Sequence, residues 1–342
     1  MPERLADHTT LRLGGPALTW VRATTDDELI AAVSAADEAG EPVLVLAGGS
    51  NLVVADEGFA GTVVEVATSG VSADHEGDDP TCGGVLVTIA AGESWDSLVA
   101  HAVAEHWVGV EALSGIPGSV GATPIQNVGA YGQEVAQTLA SVRVWDRTLR
   151  GVRTFAAADC GFGYRTSRFK ADPGRHVVLG VTFQLRQGEL GTPVAYAELA
   201  GSLGVEPGTR APASDVREAV LGLRRSKGMV LDAHDHDTWS AGSFFTNPVV
   251  APDRIPEGAP SWAQPDGTAK TSAAWLIEHA GFGKGYGDGA ARVSTKHTLA
   301  LTNRGGATTA DLLDLAREIR DGVERTFGIR LVNEPVLVGC TL

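Results

Sequence analysis

Apolar positions along the chain follow two periods, and the switch between them marks the predicted elements. Over residues 24–40, Leu29, Ile30 and Val33 share one helical face. Thr25 and Glu28 have the spacing of a capping box, and Gly40 follows the last turn, so a helix is predicted there. The continuous apolar run 42–47 (PVLVLA) predicts a short buried strand that feeds directly into Gly48-Gly49-Ser50-Asn51. Further strands are predicted over 63–66, 85–90, 142–145 and 177–185. Ser94 opens a helix expected to reach about His106, with Leu98, Val99, Ala102 and Val103 on its buried side. In the second half, one helix is expected from Ser214 or Asp215 to Arg225, and another over 272–280, stopped by Gly281. A long last helix starts at Thr308 or Thr309. Its Leu312, Leu313, Leu315, Ala316, Ile319 and Val323 fall mostly at helical spacing, and Gly328 ends it. A final strand is predicted over 329–338. Strands and helices alternate without a regular βαβ repeat, so the expected class is α+β rather than a doubly wound sheet. A turn-rich zone at 201–212 marks the expected domain boundary, and there is no internal repeat.

Composition narrows the functional classes. A chain of 342 residues with 43% hydrophobic and 20% charged residues can build the cores of two or three domains. No run approaches the roughly 20 apolar residues that span a bilayer, and the opening MPERLADHTT lacks the apolar segment of a secretory leader. Cys82, Cys160 and Cys340 are scattered, with no CxxC pair. That argues against a disulfide framework or a zinc site, and for a reducing, cytoplasmic setting. A net charge of −15 argues against a general nucleic-acid surface. An acidic chain that binds an anion must gather its cations locally. Two clusters do so: Arg165, Arg168 and Lys170 in YRTSRFK, and Arg224, Arg225 and Lys227 in RRSK.

Two glycine-dense loops carry the binding chemistry. Gly48, Gly49, Ser50, Asn51 and Leu52 follow a strand, where successive main-chain N–H groups and two polar side chains suit a pyrophosphate; a tight turn is the plainer alternative. The stretch from Gly115 to Gly132 includes Pro117, Gly118, Ser119, Gly121, Asn127, Gly129, Ala130 and Tyr131. Ordering such a loop costs much entropy, which points to function. No Walker A loop is present, and Gly285-Tyr-Gly-Asp-Gly-Ala290 follows a helix rather than a strand, so it fails the context of a dinucleotide fingerprint. His234-Asp235-His236-Asp237 has the look of a metal cluster but lacks a distant third ligand, so a solvated loop is expected and no metal.

Together, AGGSN and GIPGSVGATPIQNVGAYG resemble the FAD-binding domain of the vanillyl-alcohol-oxidase (PCMH) type, and specifically the UDP-N-acetylenolpyruvoylglucosamine reductase family. The similarity runs on through YRTSRFK, GSFFTNP and SAAWLIE to the C-terminal segment. It implies an FAD-binding domain over 13–188 and a C-terminal α/β substrate-binding domain over 205–342, whose last strand packs back on the N-terminal part. It further implies FAD and NADPH as cofactors, the latter sharing the open substrate face, and a UDP-sugar enol ether as substrate. No nucleic-acid or membrane partner is implied, and a monomer or weak oligomer is expected. By the same resemblance Arg165 polarises the substrate carboxylate, Ser243 is the general acid and Glu334 is the catalytic carboxylate. Tyr196 and Asn247 contact substrate, Lys227 reaches its phosphates, and His297 lies near it where many relatives have Gln. Two local departures stand out. Lys227 is followed by Gly-Met-Val-Leu-Asp rather than Leu-Pro-Asp-Pro, and Pro335 follows Glu334 where the family places proline before it.

Overall fold

The computed structural model describes residues 2–75 and 83–342. Cys82 lies outside the described residues; Cys160 is buried and Cys340 half-buried, both as free thiols. Two compact units form. The N-terminal unit takes the described parts of Leu18–Gly48 and Ala60–Arg225, and the C-terminal unit those of Met1–Ala17, Gly49–Phe59 and Ser226–Leu342.

Two sheets and a short hairpin, Gly129–Ala130 with Gln133–Glu134, form among the described residues of the N-terminal unit. In the smaller sheet, Phe59–Val66 lies between Ala17–Ala23 and Val43–Leu46, pairing in parallel with the latter. Helix Asp26–Ala39 buries Leu29 and Val33 in the same core cluster as Val64 and Val66, and Ala36 is buried on the same helix. Its cap differs from the expected box. Thr25 accepts from the Glu28 N–H, but the Glu28 carboxylate reaches Thr24, at N and Oγ1, rather than Thr25. The larger sheet is antiparallel, in the order Gly151–Ala156, Leu139–Asp146, His176–Gln187, Gly84–Ala90, Val71–His75, with Trp107–Val108 added against His176–Gln187. Helix Trp95–Ala104 is capped by Ser94. It ends before the expected His106, which takes a left-handed φ of 59°. Trp95 is fully buried, 5.8 Å from the ring of Phe183, with its indole N–H on the Leu113 carbonyl at 3.0 Å. Helix Ala197–Leu203 begins right after Tyr196, and helix Ala213–Ser226 closes the unit.

The C-terminal unit draws its core from both ends of the chain. Leu11, Leu13 and Val53 pack in one cluster with Phe244, Phe245, Leu276, Ile277 and the inner face of helix Thr309–Phe327. The last strand corrects the sequence reading. Only Val336–Val338 is a strand, parallel to Leu52–Val54. Over the expected 329–338, Asn333 makes an isolated bridge to Phe245, Pro335 has no N–H to give a ladder, and the Glu334 N–H turns to the Phe244 carbonyl at 2.8 Å. Two small sheets went unread in the sequence: Val249–Val250, Ala269–Thr271 and Ser261–Ala263, and the pair Ala291–Val293 with Leu301–Asn303.

Candidate functional site

The two glycine loops meet main chain to main chain in the N-terminal unit. A Cβ on Gly48 would lie 2.6 Å from Gly118 Cα, so only glycine fits. The Gly115–Gly121 stretch is laid across the start of helix Trp95–Ala104. Gly118 accepts from the Trp95 N–H, and Val120 and Gly121 donate to Glu93 and Ala91. The Gly115 N–H donates to Asp96 Oδ1 at 2.6 Å, and Arg217 grips the same carboxylate with two nitrogens at 2.7 and 3.1 Å. Burial works against the Asp96 charge, yet Arg217 and the Gly115 N–H together hold its carboxyl below the usual range. Ser119, 5% exposed, has a buried hydroxyl with no hydrogen-bond partner. A close-packed glycine pair beside an unanswered hydroxyl fits a group that approaches main chain and accepts hydrogen bonds, as the pyrophosphate of FAD does.

Further along the loop, Asn127 and Tyr131 both take left-handed φ, 48° and 49°. The Asn127 amide is spent within the protein. Its Nδ2 donates to Glu134 Oε2 at 2.9 Å and Gly163 O at 3.2 Å, and its Oδ1 accepts from the Ala136 N–H at 3.0 Å. Arg165 lies against the same loop, donating to Gly129 O at 2.8 Å and Asn127 O at 3.4 Å. Ser167 and Lys170 fasten that segment further, through Ile125 O and Arg165 O. The Tyr131 ring stands edge-on to Tyr196, 5.7 Å away. Burial pushes the Tyr131 phenol up to about 12. Behind it, Arg224 is 6% exposed, and burial draws its guanidinium down to about 10 against the fields of Tyr131 and Asp96. In the sequence Arg224 stands only as one cation of the RRSK cluster at the end of a predicted helix. Its spacing from the buried Val216, Val220 and Leu221 was the signal that it faces inward.

The other named residues fall in the C-terminal unit. Gly49, with φ 57°, is locked under the N-terminal segment: a Cβ there would lie 1.9 Å from His8 O, and Gly49 O accepts from the Thr10 N–H. Asn51 O accepts from the Val336 N–H at 2.9 Å, and Asn51 Nδ2 reaches Glu334 O at 3.5 Å. Phe244, next to Ser243, is held on both sides. Its N–H donates to Leu299 O at 2.7 Å, and its carbonyl accepts the Glu334 N–H. The backbone next to Ser243 is therefore hydrogen-bonded to Glu334, with the His297–Leu299 turn on the other flank. Asn247 spends its Oδ1 on the Ala273 N–H at 2.9 Å, at the start of helix Ala273–His279. Arg165 and Tyr196 belong to the N-terminal unit, whereas Ser243, Glu334, Lys227, Asn247 and His297 belong to the C-terminal one. The His234–Asp237 run is occupied with the protein itself: the His236 ring lies 4.2 Å from Trp239, and Asp235 pairs with Lys296.

Residues 17–152 match the family described as FAD binding domain, and residues 234–338 match the family described as UDP-N-acetylenolpyruvoylglucosamine reductase, C-terminal domain. The chain is 61% identical over 341 residues to the UDP-N-acetylenolpyruvoylglucosamine reductase of Cutibacterium acnes, covering 99% of this chain and 90% of that one. It is 59% identical over 351 residues to that of Thermobifida fusca, covering 99% and 97%. Among solved structures, the UDP-N-acetylenolpyruvylglucosamine reductase of Thermus caldophilus superposes with a TM-score of 0.65 at 26% identity, covering 98% of this chain and 97% of that one.

Proposed function

The chain belongs to the UDP-N-acetylenolpyruvoylglucosamine reductase family, and on that premise we propose that Arg165, Ser243 and Glu334 carry out its chemistry while Tyr196, Lys227, Asn247 and His297 hold the substrate. The protein is an FAD-dependent NADPH oxidoreductase with an FAD-binding domain of the vanillyl-alcohol-oxidase type. It reduces UDP-N-acetyl-3-O-(1-carboxyvinyl)-glucosamine to UDP-N-acetylmuramate in peptidoglycan precursor synthesis. Among the described residues no helix is long and apolar enough to cross a membrane. We place the enzyme in the cytoplasm, a reading that its few scattered cysteines support.

When bound, FAD supplies the hydride and NADPH restores it. Addition at the terminal alkene carbon leaves negative charge spread toward the substrate carboxylate. Preorganised donors aimed at that charge lower the barrier. The Arg165 guanidinium has five N–H donors, and carbonyls of the glycine loop fix its plane, so it can meet a carboxylate without first reorganising. Glu334 helps most when it carries a proton, since a bare carboxylate repels the developing charge. The Ser243 hydroxyl delivers the proton to the adjacent carbon. Lys227 meets the diphosphate as a point charge.

The observation that supports this reading is the hydrogen bond from the Glu334 N–H to the carbonyl of Phe244, the residue after Ser243, which joins the backbones that carry the proposed proton donor and carboxylate. Stopped-flow spectroscopy of Ser243→Ala tests it. We expect yellow, FAD-loaded protein whose flavin NADPH reduces at the native rate, and whose reoxidation by the sugar nucleotide slows at least ~100-fold. Native reoxidation would remove Ser243 as the donor.

A further inference from the structure

The His234–Asp237 run, which the catalytic reading leaves unused, sits at the crossing of three segments that the reading does use. Asp237 is 4% exposed. Its carboxylate accepts the Thr295 N–H at 2.8 Å, the Thr295 hydroxyl at 2.6 Å and Arg304 Nη1 at 2.8 Å. Thr295 opens the turn that carries His297. Ser294 Oγ takes the N–H groups of Lys296 and His297 at 3.0 and 3.2 Å, and the turn closes with the Ala300 N–H on His297 O. Within that turn, Leu299 O accepts the Phe244 N–H beside Ser243. On the opposite side is Gly228, which follows Lys227. It has a left-handed φ of 64°, and a Cβ there would lie 2.9 Å from the Asp237 carbonyl oxygen. Asp235 completes the knot, accepting the Asp237 N–H on Oδ1 at 3.0 Å and pairing with Lys296 through Oδ2.

We propose that Asp237 is a positioning residue for the substrate side of the site, one buried carboxylate that sets the turn bearing His297 and, through it, the Ser243–Phe244 backbone, while its own backbone seats the Lys227–Gly228 bend. The inference rests on the reading of Lys227, Ser243 and His297 given above. Its physical basis is that a buried carboxylate with three donors is a stiff junction. The donors are aimed at fixed lone pairs, and none can be released to solvent without cost. Where the family places Leu-Pro-Asp-Pro after its lysine, this chain has Gly-Met-Val-Leu-Asp. A proline-stiffened bend is thus replaced by a glycine bend, whose shape depends on what packs against it, and what packs against it is Asp237.

The test titrates the oxidised, FAD-loaded enzyme with the enolpyruvyl sugar nucleotide and follows the flavin absorbance, so binding is read without turnover. Asp237→Ala is expected to weaken binding at least ~10-fold, below the ~100-fold that a 1 Å misplacement can cost. FAD content should stay native. Asp237→Asn keeps the shape and part of the bonding, so it should recover most of the loss; it also serves if the alanine variant does not fold. Because Asp237 acts through the turn, Asp237→Ala combined with His297→Ala should bind little worse than the weaker single variant. Binding within twofold of native in both Asp237 variants overturns the proposal. So does strict multiplication of the two losses, or a fall in FAD content equal to the fall in substrate binding. Native binding in both His297→Ala and Lys227→Ala overturns it by a different route, because the residues it positions would then not be substrate residues.

Discussion

His176 stands edge-on to the rings of Phe155 and Phe169, at 5.5 and 5.7 Å, with its side chain 3% exposed and its Nδ1 without a hydrogen-bond partner. Burial lowers its pKa; Asp146 pulls it back up from 3.8 Å, and Arg175 opposes that pull. The more distant Asp172 and Arg168 act in opposite directions. A histidine that resists protonation when folded but accepts it freely at about 6.5 when unfolded draws the equilibrium toward the unfolded chain as pH falls below that value. Asp146 works in a separate window. Arg175 holds it down to about 2, so its contribution is full above the ordinary aspartate range of about 3.9 and is lost only as pH falls toward 2. Urea unfolding of the native protein should therefore lose stability as pH falls below about 6.5, and His176→Phe, which keeps an aromatic ring in the pocket, should flatten that slope. An unchanged slope would clear His176 of the effect. Nothing in the sequence marks His176, because Phe155 and Asp146, which help enclose it, lie on two other strands earlier in the chain. Ser243, Arg165 and Glu334 could be proposed only because their neighbours form long specific motifs. Asn127 shows the opposite limit: a polar residue in a glycine loop reads as a ligand, yet its amide is consumed by Glu134, Gly163 and Ala136.

At the scale of elements, legibility followed length. Helix Thr309–Phe327 repeats its apolar face often enough to be read end to end, and its Thr308 cap and Gly328 stop are where the sequence puts them. Helix Ala197–Leu203 spans only 7 residues, and its last residues, with Gly201 and Ser202, fell in the zone read as turn-rich. Strands such as Val249–Val250 are too short to show any period. The Gly129–Ala130 and Gln133–Glu134 hairpin that presents Tyr131 is of this kind, and what holds it lies elsewhere in the sequence. Glu111 is 1% exposed. It accepts the Gly109 N–H at 2.6 Å, Gln133 Nε2 at 2.9 Å, and Thr192 through N at 2.6 Å and Oγ1 at 2.9 Å. Gln133 returns its Oε1 to the Ala112 N–H at 2.7 Å. Glu111→Ala leaves several buried donors without an acceptor, and at about 1–3 kcal/mol each the loss should be at least about 3 kcal/mol. Thermal or urea unfolding of the variant measures it. A change below 1 kcal/mol would mean that these donors find water. Because the staple lies beneath Tyr131 and near the start of the Tyr196 helix, the variant should also weaken sugar-nucleotide binding more than FAD binding.

At the scale of the whole molecule, the chain passes between its two units four times, after Ala17, Gly48, Phe59 and Arg225. The C-terminal unit is consequently incomplete as a sequence fragment. Residues 226–342 contain helix Thr309–Phe327 and both phenylalanines of the Ser243 motif, but not Leu11, Leu13 or Val53, which are buried in the same cluster. They also lack Leu52–Val54, the sole partner of strand Val336–Val338 among the described residues, and Asp56, whose carboxylate takes the N–H groups of Thr309 and Ala310 at the start of the long helix. Three missing core side chains at about 1.5–3 kcal/mol each already rival the whole stability of an ordinary domain, about 5–15 kcal/mol. The fragment 226–342 expressed alone should therefore show helical far-ultraviolet circular dichroism at most, without near-ultraviolet signal or a cooperative melt. Adding peptides 1–17 and 49–59 in trans should restore a cooperative transition, because they return the core residues, the partner strand and the helix cap together. A cooperative melt of 226–342 without them would mean that the late chain carries a sufficient core. Glu334 would then owe its place to the Phe244 tie rather than to the N-terminal strand beside it.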